Sequence, residues 1–248
     1  MICCFSRHLL SMCFLIFGML ALTPASLLAQ ESLPPEEEVP TVDRAKVQQL
    51  LDEFGVSRYP DFCAIESRCY QEEDSAQYYT HLRTYRYRAP VEEVWEAYRH
   101  IAPQRAWGCL LVDHVLSVNR ATGRPNPSGT AYAGMEEGQM HFLQLNFLGM
   151  VRLAVGHEVT EVNPEARRMG FCYLEEGASA GSQWISMRRL PNGETEVSHL
   201  TRYYSGKSFR DRHLYPTLHS LIINAFHHNV KSSLRKKMRR EARLRKAL

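Results

Sequence analysis

The sequence predicts an α+β protein, a curved antiparallel sheet of about six to seven strands wrapped around one long C-terminal helix. Three observations predict it. Strand-like segments follow one another from about Gly149 onward, with turn signals between them. They lead into a helical segment, roughly Arg210 to Leu248, that carries one apolar stripe in its first half. Ahead of them stand a single strand and a pair of helical segments, an order unlike alternating βαβ units.

The elements follow in chain order. Val47, Leu50, Leu51 and Phe54 recur at helical spacing after Thr41-Val42-Asp43, and Gly55 stops that short helix. Tyr79 to Ala89, rich in tyrosine and threonine, reads as a strand. Pro90 suits a first helical turn, and Val91, Val94, Trp95 and Tyr98 form the apolar face of the helix it opens. That helix closes near Ala102-Pro103, and a short helical or turn segment spans Gln104 to Trp107. Gly108–Asn119 is strand-like, and Thr122–Gly129 is a turn region rich in glycine and proline. Further strands fall at Thr130–Glu136, Gln139–Asn146, Met150–Asn163, Arg168–Glu175, Ser182–Leu190 and Glu196–Tyr204. Gly138, Gly149, Asn163-Pro164, Gly177, Gly181 and Pro191-Asn192-Gly193 supply the breaks, the last a strong hairpin signal. In the terminal helix the stripe comprises Leu214, Leu218, Leu221, Ile222, Ala225, Phe226 and Val230.

A chain of 248 residues allows one sizeable domain or two small ones, and 44% apolar with 23% charged residues is a globular composition. The net charge of +3 averages over opposite ends. Acids dominate from Glu31 to Gln77, and bases dominate after Val230. The N-terminus reads as a targeting segment: Arg7 and His8, an apolar run from Leu9 to Leu22, a break at Thr23-Pro24, and small residues up to Ala29. The expectation is a cleaved signal ending near Ala29 and a protein exported to the periplasm or secreted. The alternative is an uncleaved N-terminal membrane anchor, although the run is shorter than the ~20 residues that span a bilayer.

Export makes disulfides available to the cysteines that remain: Cys63, Cys69, Cys109 and Cys172. Cys63 and Cys69 share one polar loop and form the best pair. Cys109 and Cys172 sit in apolar strand-like segments, where free buried thiols are as consistent as a bridge. No Cys-x-x-Cys pair is present, which excludes a zinc ribbon or a thioredoxin-type motif.

The stretch YRAPVEEVWEAYRHI, with Ala89, Pro90, Glu92, Glu93, Val94 and Trp95, resembles the N-terminal signature of the START/Bet v 1-like (helix-grip, SRPBCC) superfamily, polyketide cyclase and lipid-binding types included. HEVTEVNPEARRMGFCYLEEG, with its turn at Asn163-Pro164, is similar to the middle strands of that superfamily. The resemblance covers about Tyr78 to Val230. It implies a helix-grip domain over 78–230. The residues themselves place before it a signal (1–29) and an acidic linker with a short helix and a candidate disulfide loop (30–77). A basic helical tail (231–248) follows.

No motif fixes a catalytic centre or a cofactor. His157-Glu158-x-x-Glu161 lacks the helical setting of a zinc-protease motif. Its period is that of a strand, which puts His157 and Glu161 ~13 Å apart on one face. His227-His228, adjacent on a helix, point about 100° apart and make a poor metal clamp. Neither a Gly-x-Ser-x-Gly elbow nor a phosphate loop occurs. The residues point instead to a pocket between sheet and helix. Alternation places Val155, His157, Phe171, Tyr173, Ile185 and Met187 on the inward face, and the helix contributes Leu218, Ile222 and Phe226. Trp107, Tyr132, Trp184 and Tyr203 are further aromatic candidates.

The expected function is that of an exported binding protein for a hydrophobic small molecule or lipid. One alternative, implied by the resemblance, is a polyketide cyclase/dehydrase-like enzyme using His157, Tyr173 or Glu175 as acid/base groups. Another is a membrane-surface module acting through Lys231, Arg235, Lys236, Lys237, Arg239, Arg240 and Arg243. Those bases also suit a solvated helix end, and export would leave nucleic acid out of reach.

Overall fold

A computed structural model describes residues 44–127, 132–147 and 151–247. The targeting segment, the start of the acidic linker and the turn at Gly149 lie outside them.

Strand β1 (Ser67–Arg68) precedes β2 (Tyr79–Tyr87), and two helices follow, α2 (Val91–His100) and α3 (Pro103–Ala106), after an N-terminal α1 (Arg44–Glu53). Then come β3 (Val112–Asn119), β4 (Pro125–Pro127), β5 (Gln139–Phe147), β6 (Val151–Asn163), β7 (Arg168–Leu174), β8 (Ala180–Arg189) and β9 (Thr195–Tyr204). A π-helical turn, Arg210–Leu214, leads into α4 (Tyr215–Ala247). The strands form one antiparallel sheet in the order β2-β9-β8-β7-β6-β5-β3-β4, with β1 beside the end of β7. Register shifts at His114/Leu116 and Val159/Glu161 mark bulges, which bend a sheet and sharpen its twist. This is the helix-grip arrangement that the resemblance implies.

The strand count exceeds the expected six to seven because β1 and β4 are short and lie in polar or proline-rich stretches without a strand pattern. The expected strand at Thr130–Glu136 does not form over its described part, 132–136. Gly134 sits at φ +138°, and the Met135 N–H bonds the Arg99 carbonyl of α2 rather than a neighbouring strand. A side chain at position 134 would also meet the His100 ring, with Cε1 3.0 Å from its Cβ.

One core lies on the inner face of the sheet. Trp95 and Tyr98 of α2 pack there with Met169, Phe171, Ile185 and Met187 of the strands and with Phe226, Val230 and Leu234 of α4. The face of α4 turned to the sheet comprises Tyr215, His219, Ile222, Ile223, Phe226, His227, Val230 and Leu234. Leu214 and Leu221, expected in the stripe, are 47% and 50% exposed, because their places are taken by Tyr215, His219 and Ile223. The helix runs past Val230 without a break, and Leu234 still belongs to the core. Among the basic candidates, Lys231 turns back to the domain and its Nζ donates to the Arg86 carbonyl at 2.7 Å. Arg235, Lys236, Lys237, Arg239, Arg240 and Arg243 are exposed.

A second core lies on the outer face. Although the sequence places the start of the compact domain near Tyr78, Val47, Leu50, Leu51 and Phe54 of α1, with Phe62 and Ile65 after it, pack on Leu116, Met140, Phe142 and Leu174. Gly156 makes this approach feasible: a Cβ there would lie 2.7 Å from Leu174 Cδ1 and 3.0 Å from Phe54 Cζ. Arg120 fastens the segment. Its guanidinium donates twice to Glu158, at 2.7 Å each, and also to the carbonyls of Cys63 and Ile65. Ser67 Oγ donates to the same carboxylate.

The disulfide differs from the expected one. Cys69 pairs with Cys172, while Cys63 and Cys109 are free. In β7, Phe171 and Tyr173 point inward, so Cys172 points outward beneath the N-terminal segment that carries Cys69. The Cys63 sulfur faces the Asn119 carbonyl instead. Cys109 lies before β3, which starts at Val112, not at Gly108.

Candidate functional site

Along the C-terminal part of α4 the helix touches the sheet through Phe226, Val230 and Leu234. Along its first turns the two layers enclose a cavity of about 390 Å³. Leu143 and Leu145 of β5 with Leu153 and Val155 of β6 form the sheet wall. Leu218, Ile222 and Ile223 form the helix wall, and Trp107 closes one end. Arg210 and Leu214, both partly exposed, lie on the rim with Ser179. A pocket of about 30 Å³ shares Trp107, His157 and Gln183 with the cavity and reaches Tyr132, Phe171, Ile185 and Phe226.

A polar band crosses this apolar space. His141 and His157 are directly paired across β5 and β6, with ring centroids 5.4 Å apart. On β8 and β9, Gln183 and His199 face inward, and on α4 so do His219 and His227. Gln183, His199, His219 and His227 are joined by hydrogen bonds. Gln183 Oε1 can only accept, so His199 Nε2 (2.9 Å) and His219 Nε2 (3.2 Å) both donate to it. His199 Nδ1 bonds His227 Nε2 at 2.9 Å, and His227 Nδ1 bonds the Tyr98 hydroxyl. His219 Nδ1 bonds Nδ1 of half-buried His81 at 3.0 Å. Four imidazoles, the Gln183 amide and the Tyr98 hydroxyl thus form one connected chain.

Burial drives the electrostatics of the band. It lowers His199 to about 3 and His141 to about 4, and holds His157, His219 and His227 well below the ordinary histidine value. Burial raises the Tyr173 phenol to about 12, opposed by its hydrogen bond to Tyr215. Tyr215 is raised well above the usual phenol value for the same reason, with Tyr173 adding to the effect. Among the described residues the cavity is therefore uncharged in its interior, and the one cation that lines it, Arg210, sits at the rim. Among the described residues no three His, Cys, Asp or Glu side chains are placed to share a metal ion.

Of the pocket residues read from the sequence, Trp107, Val155, His157, Tyr173, Leu218 and Ile222 line the large cavity. Tyr132, Phe171, Ile185 and Phe226 line the smaller one. Trp184, Met187 and Tyr203 line neither. Trp184 alternates to the outer face, where it meets the Tyr70 ring. Met187 points inward but packs in the core beyond the cavity. Tyr203 is stacked on Tyr215 at 3.6 Å and donates to the Asp211 carbonyl. Glu175 faces neither space, and its backbone N–H bonds the Glu66 carbonyl. The sequence reading missed Gln183, His199, His219 and Arg210. The first two share the alternation of Ile185 and Val197, a signal overlooked in a search for apolar groups.

No protein-family model matches the sequence, and no curated protein matches it. The chain is similar in structure to norcoclaurine synthase from Thalictrum flavum, solved with dopamine and hydroxybenzaldehyde. The identity is 11%, over 67% of this chain and 93% of that one, with a TM-score of 0.44. It is similar to a protein from Mycobacterium smegmatis at 11% identity, over 70% and 99% of the two chains, with a TM-score of 0.45. It is also similar to Ara h 8.0201 at 6% identity, over 64% and 99%, with a TM-score of 0.46.

Proposed function

We propose that this chain is an exported binding protein for a hydrophobic small molecule or lipid, held between the sheet and α4. The observation that carries the reading is the cavity of about 390 Å³ with apolar walls on both layers. Its size falls in the range of small-molecule sites, which are mostly apolar with a few placed polar groups. The Cys69–Cys172 bridge fits an oxidising compartment and so the proposed export. Native mass spectrometry of protein purified from its host should reveal a co-purifying apolar ligand. Leu218→Trp, which fills the cavity from the helix side, should weaken binding of the neutral dye N-phenylnaphthylamine by about tenfold or more. Dye binding unaffected by Leu218→Trp, with no ligand in the spectrum, would overturn the reading.

Binding is favoured over a cyclase/dehydrase-like activity by the state of the polar groups. His157 and Tyr173 share the cavity, but neither titrates near neutral pH, where a general base works best. Glu175 stands outside it.

The exposed cations at the end of α4, Arg235, Lys236, Lys237, Arg239, Arg240 and Arg243, favour a second contact, with an anionic membrane surface. Flotation with anionic vesicles should carry the full chain up, and a chain ending at Leu234 should stay behind. Equal flotation would remove the helix end from the account.

A further inference from the structure

The polar atoms around the large cavity can be assigned one by one. Gln183 Oε1 accepts from two imidazoles, and its side chain also bonds Tyr173. Both nitrogens of His219 are engaged. The Tyr173 and Tyr215 hydroxyls bond each other. Arg210 donates to the Ala178 carbonyl and to Ser179 Oγ, and its guanidinium lies 3.5 Å from the Asp211 carboxylate. The Trp107 indole N–H and the His157 ring are left over, and His157 is the buried one of the two. His157 is 3% exposed and lines both the large and the small space, yet its ring nitrogens have no hydrogen-bond partner among the described residues. Its neighbours are the rings of Trp107, His141 and Phe171, at 5.4–5.7 Å between centroids. A buried polar group without a partner costs free energy, and a bound molecule that supplies the partner recovers it.

Resting on the binding function proposed above, the geometry points to the ligand's chemical class: an uncharged, compact apolar molecule carrying a hydroxyl group that hydrogen-bonds His157. A neutral imidazole offers one N–H and one lone pair, and a hydroxyl can serve either. A carboxylate seated there would lose its hydration with no cation beside it, since Arg210 is committed at the rim. A cavity of about 390 Å³ lies near the lower end of the range of small-molecule sites, which favours a small fused or linked ring system over a long-chain lipid.

Three probes on one skeleton test this: biphenyl, 4-phenylphenol and biphenyl-4-carboxylate, titrated at neutral pH with Trp107 emission and calorimetry as readouts. The expected order is 4-phenylphenol tightest, biphenyl about five- to tenfold weaker, and the carboxylate weakest. In His157→Phe the phenol should fall to the level of biphenyl while biphenyl itself is unchanged, which also reports that the variant is folded. If wild-type protein binds biphenyl as tightly as the phenol, or binds the carboxylate best, the assignment to His157 is wrong and the binding function stands. If none of the three binds, the binding function itself fails and the assignment with it.

Discussion

Unfolding of this protein at about pH 5 is expected to take up close to six protons, and its stability to collapse below about pH 6. His141, His157, His199, His219 and His227 are all less than 10% exposed and neutral in the folded chain, and His114, which burial lowers to about 3, is neutral with them. In the unfolded chain each titrates near 6.5. Burial has depressed the folded values, to about 4 for His141 and about 3 for His199. The sign follows from this. Above about pH 6.5 neither state binds these protons and no stability is lost. As pH falls below that value the unfolded chain binds them and the folded chain does not, until the folded values are reached. Each proton contributes a slope of about 1.4 kcal/mol per pH unit, so six give about 8 kcal/mol per unit near pH 5. A domain stable by about 5–15 kcal/mol has little left two units lower. Glu158 acts in a lower window. Burial raises its pKa, but the hydrogen bonds from Arg120 and Ser67 and the Arg120 charge outweigh that and hold it below the carboxylate range. Its stabilisation is present above about pH 4.3 and is lost as pH falls further. Guanidinium midpoints measured from about pH 8 to about pH 5, with proton uptake on unfolding, check this. A midpoint that stays constant across that range would show that the imidazoles are not buried neutral.

Loss of the Cys69–Cys172 bridge is expected to cost about 4 kcal/mol. The two cysteines are 103 residues apart, and closing a loop of about 100 residues removes roughly 4.7 kcal/mol of chain entropy from the unfolded state in the simplest treatment. The bridge also ties the N-terminal segment to the middle of the sheet. Cys69→Ser with Cys172→Ser should therefore lower the guanidinium midpoint, and reductant should lower the wild-type midpoint to the same value. A midpoint indifferent to reductant, or a non-reducing peptide map joining Cys69 to Cys63, would contradict the pairing.

The order of elements was readable because it rests on local signals: the Ala89-Pro90 boundary, the Asn192-Gly193 turn and the alternation along β6 to β9. Alternation also placed Val155, His157, Tyr173 and Phe171 on the cavity side of their strands. The failures share a cause, which is dependence on partners distant in sequence. The pairing of Cys69 with Cys172 needs β7 to lie beneath the N-terminal segment, and no local pattern states that. α1 was legible as an amphipathic helix, but the surface it covers belongs to β3, β5, β6 and β7. Trp184 was misassigned by residue type, although its alternation with Ile185 turns it outward. Gln183 went unnoticed because a buried amide becomes intelligible only once the imidazoles of β9 and α4 converge on it.

The two buried histidines on α4, His219 and His227, also fix how the helix sits. Apolar contacts tolerate a helix that slides or rotates a little, whereas hydrogen bonds at 2.9–3.2 Å do not. A slip of one helical turn, about 5.4 Å, brings residues four further along into the same places. In one direction Ile223 and Lys231 would replace His219 and His227, setting an ammonium group against Tyr98 and a methyl against Gln183. In the other, Tyr215 and Ile223 would stand there. Neither alternative satisfies the sheet, so the imidazoles act as a key that admits α4 in one register.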